Sequence, residues 1–326
     1  MSYLELLKLA LPEAVVVMTA LAVLAIGLTK SNSKTICTLV AEGGLAIAVG
    51  AVVILPRHAT LFGGMLVISP LNSLFKIICL ALAFVIIPLA ASEKFLRNGG
   101  EFLAMLLLGT VGLMLLVGSE ELLTIFIGLE LLGLSLYVMA AFDKFDIRSA
   151  EAGLKYFLFG STASAFTLFG ISVVYGMTGA TALAAVGEKF GGGSVQPLLA
   201  VGVVMTLIGF AFKIAAAPFH LWAPDAYEAA PVTSAAFISS GSKVASFVVL
   251  GKIVLVAFAP LRGDASWHAM VAGWSPLLAA LAAFSILLGN FVALAQRDVR
   301  RLLAYSAVAH AGYTLLGLVA GGREGF

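Results

Sequence analysis

The chain has 326 residues, of which 61% are hydrophobic and only 11% charged, too little charge to cover the surface of a soluble domain. Mean hydropathy is +1.10, and apolar runs recur at the length of about twenty residues that spans a bilayer core. A net charge of +2 gives no basis for nucleic-acid binding, and the two cysteines, Cys37 and Cys79, offer neither a disulfide framework nor metal-ligand spacing.

About ten spanning helices are predicted from the apolar periodicity. They cover 11–28, 36–55, 71–91, 102–118, 122–142, 154–176, 198–217, 232–258, 275–296 and 302–320. The fold class is therefore all-α, a polytopic transmembrane helical bundle. No small-residue cleavage site accompanies the first span, which is expected to be retained as an anchor. Connections are short and polar (Lys30–Lys34, Ser92–Glu101, Asp143–Glu151, Arg297–Arg301), and no soluble domain fits among them. The longer Thr178–Pro197 connection is rich in glycine and reads as a flexible surface loop.

Lys and Arg set the orientation. Loops on one side hold Lys30, Lys34, Lys94, Arg97, Lys144, Arg148, Lys155, Arg297, Arg300 and Arg301; the other side holds Lys8, Arg57, Lys189, Arg262 and Arg323. The bias predicts a periplasmic N-terminus, with the Asp143–Glu151 and Arg297–Arg301 loops in the cytoplasm.

Three ionisable residues, Glu130, Lys213 and Lys243, fall near the middle of apolar spans. Each costs at least about 2.5 kcal/mol on insertion scales, so such residues face a bundle interior, pair, or line water. A buried Glu130–Lys213 ion pair locking two helices is one reading. It leaves Lys243 unexplained, and buried ion pairs are weak stabilisers. The other reading is a proton relay. Desolvation favours a neutral lysine and a nearby carboxylate restores the charged form, so moving that carboxylate loads or unloads the lysine. Glu130 and Lys213 suit this switch, with Lys243 as the next station. Lys76 and Lys252 lie near span ends, and snorkelling to the outer interface is one reading of both. Glu151 and Lys155, spaced i, i+4 at a helix start, read as a solvated clamp.

The stretch from Phe212 to Asp225 is the most informative. Pro218 follows Lys213 closely, removes a helical donor and clashes with the preceding turn, so the seventh helix should break near membrane depth. Irregular backbone there is tolerated only when buried in protein or lining a wet cavity, and broken helices at the midplane recur in transporters. His220 adds a group that titrates near neutral pH; an ordinary buried, hydrogen-bonded histidine is the alternative. Pro224, Asp225, Glu228 and Pro231 read as the turn into the next span, with Trp222 and Tyr227 interfacial. In the tenth span Tyr305, Ser306, His310 and Tyr313 interrupt an apolar helix. His310 is a further relay candidate, or else a helix–helix hydrogen bond. Glu121-Leu122-Leu123 before Glu130 and Arg301-Leu302-Leu303 before His310 share one offset, a faint echo compatible with an inverted repeat.

Four stretches carry a family resemblance: FIGLELLGLSLYVMAAF around Glu130, EAGLKYFLFGSTASAFTLFGISVVYGMTG from Glu151, GFAFKIAAAPFHLWAPDAYEAAPVTSAAFISSGSKVASF around Lys213 and Lys243, and QRDVRRLLAYSAVAHAGY around His310. Together they run from about Glu101 to Gly317. They resemble the antiporter-like membrane subunits of respiratory complex I, the bacterial NADH-quinone oxidoreductase. The resemblance implies two inverted five-helix repeats, the first complete and the second partial. The chain divides accordingly into an N-terminal segment (1–100), a first antiporter-like proton-channel repeat (101–258) and the start of a second repeat (259–326).

By matching position, Glu130 is the fifth-helix glutamate, Lys213 the broken-helix lysine beside Pro218 and His220, Lys243 the connecting lysine, and His310 a link toward the second half. The resemblance further implies no redox cofactor and no metal in this chain. FMN and iron–sulfur clusters would lie in partner subunits, with quinone bound elsewhere. The expected partners are the other membrane subunits of complex I, the lipid bilayer and protons, in the inner (plasma) membrane. The family usually continues past Phe326 into a second lysine-bearing broken helix, so a fragment, or a second polypeptide supplying the remainder, is expected. A multi-subunit Mrp-type cation/proton antiporter and a non-pumping assembly scaffold are the competing functions.

Overall fold

The computed structural model describes residues 3–29, 34–93, 99–190 and 196–321. Lys30, Lys94, Arg97, Arg323 and the glycines of 191–195, all used in the sequence reading, lie outside the described residues.

Among the described residues nine helices are long and apolar enough to cross a membrane, and a tenth apolar helix, Pro197–Lys213, is shorter. Each predicted span is thus helical, the form in which a lone segment satisfies its own backbone in lipid. A short α1 (Tyr3–Leu9) leads into α2 (Leu11–Thr29) and α3 (Lys34–Ile54). An antiparallel hairpin follows, β1 (Ala59–Leu61) on β2 (Leu66–Ile68), with Thr60 opposite Val67. Then come α4 (Pro70–Ser92), α5 (Gly99–Gly118), α6 (Leu122–Ala140) and α7 (Ile147–Thr178). Ser69 caps α4 by accepting from Asn72 N, and Glu121 caps α6 by accepting from Thr124 N.

Two readings of the connections are corrected. The stretch after α7 is not wholly a loop. It contains α8 (Leu183–Phe190), whose Leu183, Val186 and Phe190 are buried along one face. A window long enough to detect a span averages so short a helix away. After α9 (Pro197–Lys213), the expected turn at Pro224–Pro231 is largely α10 (Trp222–Ala229). Pro224 falls in its first turn, where a missing N–H costs nothing.

The eighth span is built in pieces. α11 (Val232–Phe237) runs through a π turn, Ile238–Ser242, into α12 (Lys243–Lys252) and a second π turn, Ile253–Ala257. The chain closes with α13 (Trp274–Leu294) and α14 (Val299–Ala320), the latter capped by Asp298.

The chain forms two compact units, Met1–Leu154 with Ala230–Ala245, and Lys155–Ala229 with Ser246–Phe326. In the first, α5 packs against α2, α3, α4 and α6. Gly112 permits the α5–α6 approach: its ideal Cβ would lie 2.7 Å from the Leu132 backbone nitrogen. Glu93, at the end of α4, positions α11. Its carboxylate accepts from Thr233 N at 3.0 Å, favoured at a helix N-terminus, and its carbonyl accepts from Lys34 Nζ at 2.7 Å. Ser234 Oγ donates to Met139 O at 2.8 Å and ties α11 to α6. In the second unit, α14 packs against α13 and α10.

Candidate functional site: a buried lysine at a broken helix

The break after α9 is built by redirecting backbone hydrogen bonds. Ala215 takes φ 57°, a left-handed conformation that costs a residue with a Cβ about 1–3 kcal/mol. Ala216 N reaches back to Ala211 O at 2.8 Å, one residue beyond the α-helical partner. Ala217 N, which a continuous helix would send to the Lys213 carbonyl, donates to Ser285 Oγ on α13 at 2.8 Å. The Phe212 carbonyl accepts from Ala215 N and from the Trp222 indole Nε1, each at 3.0 Å. The N–H groups of Ala215, Ala216 and Ala217 thus each meet a partner, as burial demands.

Lys213 sits at this broken end, 4% exposed. Its Nζ lies 6.0 Å from the ring centroids of both Tyr156 and Phe212, the outer range of cation–π attraction. Trp222 completes an aromatic cage: it stacks on Tyr156 with centroids 4.2 Å apart and meets Phe212 at 5.3 Å. Trp222 is 1% exposed and Tyr227 is buried beside it, so the interfacial placement of both is corrected. Aromatic amphipathicity marks an interface only when the polar tip meets water. Here the indole N–H meets the Phe212 carbonyl, which the helix break has deprived of its α-helical partner Ala216 N.

His220 is also buried, its ring 6.2 Å from that of Tyr305, edge to face. Its Nδ1 meets no hydrogen-bond partner among the described residues. A polar atom held this way, beside irregular backbone, suits a site that admits water.

Ion pairs tie the cage at its edge. Lys155 Nζ donates to Asp225 Oδ2 at 2.8 Å, and Arg301 donates to Asp225 Oδ1 at 2.9 Å and to Glu228 Oε2 at 2.8 Å. Lys155 thus reaches across 70 positions, beyond the local clamp with Glu151. Burial alone would raise the Asp225 carboxyl, but these two cations outweigh it and hold it below the usual carboxylate range.

The remaining sequence candidates divide between the units. In the first, Glu130 is half-buried on α6, and Lys243 is half-buried where the π turn meets α12. Such π turns often accompany function, and hydropathy carries no sign of them. In the second unit, Pro218, His220 and Lys213 share the break, while His310 is exposed on α14. Its Nδ1 lies 2.8 Å from Ser306 O and its ring 5.7 Å from Tyr313, both on the same helix. It is not a bridge between described helices.

Lys76 is not a snorkelling residue. It is 4% exposed and pairs with Glu13 of α2, a charge that hydropathy averaging had absorbed into the first span. Among the described residues no group of three or more His, Cys, Asp or Glu is arranged to hold a metal ion.

Among the described residues, nine apolar helices long enough to cross a membrane, with a backbone break that buries a lysine after a tenth, shorter one, define a multi-pass membrane protein. Residues 119–326 match the family described as NADH:quinone oxidoreductase/Mrp antiporter, TM, and the chain belongs to that family. It is 44% identical to NADH-quinone oxidoreductase subunit N 2 of Acidobacterium capsulatum, over 98% of this chain and 67% of that one. It is 39% identical to the subunit N of Moorella thermoacetica, over 96% and 64%. A chain of respiratory complex I from Thermus thermophilus, solved with bound aureothin, superimposes with a TM-score of 0.78 at 30% identity, over 96% of this chain and 65% of that one. The Mrp complex from Dietzia sp. gives 0.79 at 22% identity over 99% and 60%, a likeness of fold alone. The chain spans about two thirds of the length of these relatives.

Proposed function

We propose that the chain moves protons through the membrane as one subunit of an NADH-quinone oxidoreductase, driven by electron transfer in partner subunits. One observation carries this reading: Lys213 is enclosed at a broken helix, in a segment that matches the family. A lysine so placed changes protonation when a charge near it moves. Tyr156, Phe212 and Trp222 exclude bulk water from the ammonium, and Ser285 and Trp222 hold the irregular backbone that presents it. Glu130 serves as the modulating carboxylate, Lys243 as the next proton carrier, His220 as a water-linked relay group, and His310 as the link onward from the α14 face. The π turn before Lys243 supplies a backbone element able to shift register.

The proposed setting is the inner (plasma) membrane, with the N-terminus periplasmic and the other membrane subunits of the complex as neighbours. FMN, iron–sulfur clusters and quinone belong to partner subunits in this reading. The division at 101–258 and 259–326 into a complete and a partial repeat belongs to it as well.

The experiment is Lys213→Ala in the assembled complex, reading NADH-driven proton uptake against electron transfer in membrane vesicles. Proton uptake is expected to fall while the complex still assembles. Unchanged uptake sinks the relay role of Lys213. Sodium-dependent proton movement that needs no NADH would point instead to an antiporter of the Mrp type.

A further inference from the structure

Away from the broken helix, the first unit buries a second pair of opposite charges. Lys76 on α4 donates to Glu13 on α2 across 63 positions of sequence, and the two side chains are 5% and 10% exposed. Room for the ammonium exists because position 118, at the end of α5, is glycine. A Cβ there would lie 2.8 Å from Lys76 Cε and 3.2 Å from its Nζ.

The β-hairpin closes this end of the unit. Leu66 of β2 comes within 3.7 Å of the same Cβ position. Ser119 Oγ donates to Met65 O at 3.0 Å, and Asn72 Nδ2 donates to Val67 O at 2.8 Å. Leu61, Leu66 and Ile68 pack against Leu9, Leu55 and Leu115. Leu66 of the hairpin and the end of the Lys76 side chain thus meet at the same Gly118 position, within a few turns of the helix ends.

A simple clamp accounts poorly for such an arrangement. Desolvating two charges is repaid only partly by their attraction, and apolar side chains of similar size hold helices together as well or better. An ionisable group inside a membrane is by default a candidate for an ion or proton pathway.

We propose that Glu13 and Lys76 form a proton-exchange station at the hairpin end of the first unit, with the hairpin as its cover; this rests on the proton-translocation reading above. Lys76 releases one proton to water admitted past the hairpin and becomes a neutral amine. It then takes one proton from the interior relay. The Glu13 carboxylate accepts the hydrogen bond of the reloaded ammonium. One proton enters and one leaves, with no redox change.

The test uses vesicles of the membrane in which the chain natively assembles. Lys76→Arg keeps a cation beside Glu13, but a guanidinium does not release its proton. NADH-driven proton uptake is expected to fall about tenfold or more, the scale of a lost proton-transfer group. NADH oxidation by a water-soluble acceptor, which reads assembled complex, is expected to stay unchanged. Undiminished uptake overturns the proposal.

Because arginine is bulkier than lysine, the double substitution Glu13→Leu with Lys76→Leu is the second probe. Lost uptake in an assembled complex supports the station; full uptake shows a clamp and overturns it. Lys213→Ala in the same vesicles separates the two ideas. If its uptake falls while that of Lys76→Arg does not, only this inference fails. If Lys213→Ala also pumps normally, the translocation reading itself fails.

Discussion

Lys155 Nζ and Asp225 Oδ2 lie 2.8 Å apart, joining α7 to α10. The contact sits at the margin of the lysine cage, since Lys155 precedes Tyr156 in the chain and Asp225 lies about one helical turn after Trp222. Arg301 grips the other Asp225 oxygen and Glu228, so the start of α14 is held to the same short helix. The network ties α7, which carries Tyr156, to α10, which carries Trp222.

Asp225→Asn is expected to cost on the order of 1 kcal/mol, because the pairs are partly solvated. It should also remove a pH dependence. Lys155 and Arg301 hold the folded-state Asp225 below its ordinary value. The stabilisation is therefore complete above the ordinary carboxylate value of about 3.9 and is lost as pH falls through the lower folded value. Thermal melting of the purified complex checks this: wild type should exceed Asp225→Asn at neutral pH, and the difference should shrink only below about pH 4.

The hydrogen bonds that replace the broken helix separate cleanly by substitution. Trp222→Phe preserves stacking on Tyr156 but removes the donor to Phe212 O. Ser285→Ala leaves the Ala217 N–H buried without its acceptor. Ser285→Ala is expected to cost about 1–3 kcal/mol, the penalty of an orphaned buried donor. Trp222→Phe should cost less, because Phe212 O retains Ala215 N. Melting temperatures in that order support this reading of the break; equal effects contradict it.

Two glycines of α5 should respond differently to alanine. At Gly112 the new methyl group meets the Leu132 backbone at 2.7 Å, which only separation of α5 from α6 relieves. At Gly118 it meets the end of the Lys76 side chain, which can move. Gly112→Ala is expected to cost about 1–3 kcal/mol, the range typical of overpacking, and so to lower the amount of assembled complex sharply. Gly118→Ala should assemble and show reduced proton uptake, as the Glu13–Lys76 contact is disturbed. Immunoblots of native gels alongside uptake assays decide between these outcomes.

Much of the site was visible before any fold was known, because its causes are local. Lys213 sits inside an apolar run, and Pro218 denies the next turn a donor, whatever surrounds them. What the residues themselves could not reveal is what receives the displaced hydrogen bonds. Trp222 looked like an interfacial residue because its neighbours Pro224 and Asp225 suggested a turn. Its burial depends on Tyr156 and Phe212, which reach it from α7 and α9.

Glu13 was hidden for a related reason. Hydropathy is averaged over a span, and one carboxylate among so many apolar residues barely lowers it. Its partner Lys76 lies 63 positions away. In a soluble helix, amphipathic spacing would have marked the buried face. In a membrane both faces are apolar, lipid on one side and protein on the other, so spacing carries little information about which side packs.

By itself, then, the sequence determined the apolar helices, the break at Pro218 and the presence of charges inside apolar runs, since each follows from chain length, backbone chemistry and composition within a short segment. Only the tertiary structure decided which charges meet, which aromatics enclose Lys213 and where the hairpin closes, because those outcomes depend on contacts between segments far apart in the chain.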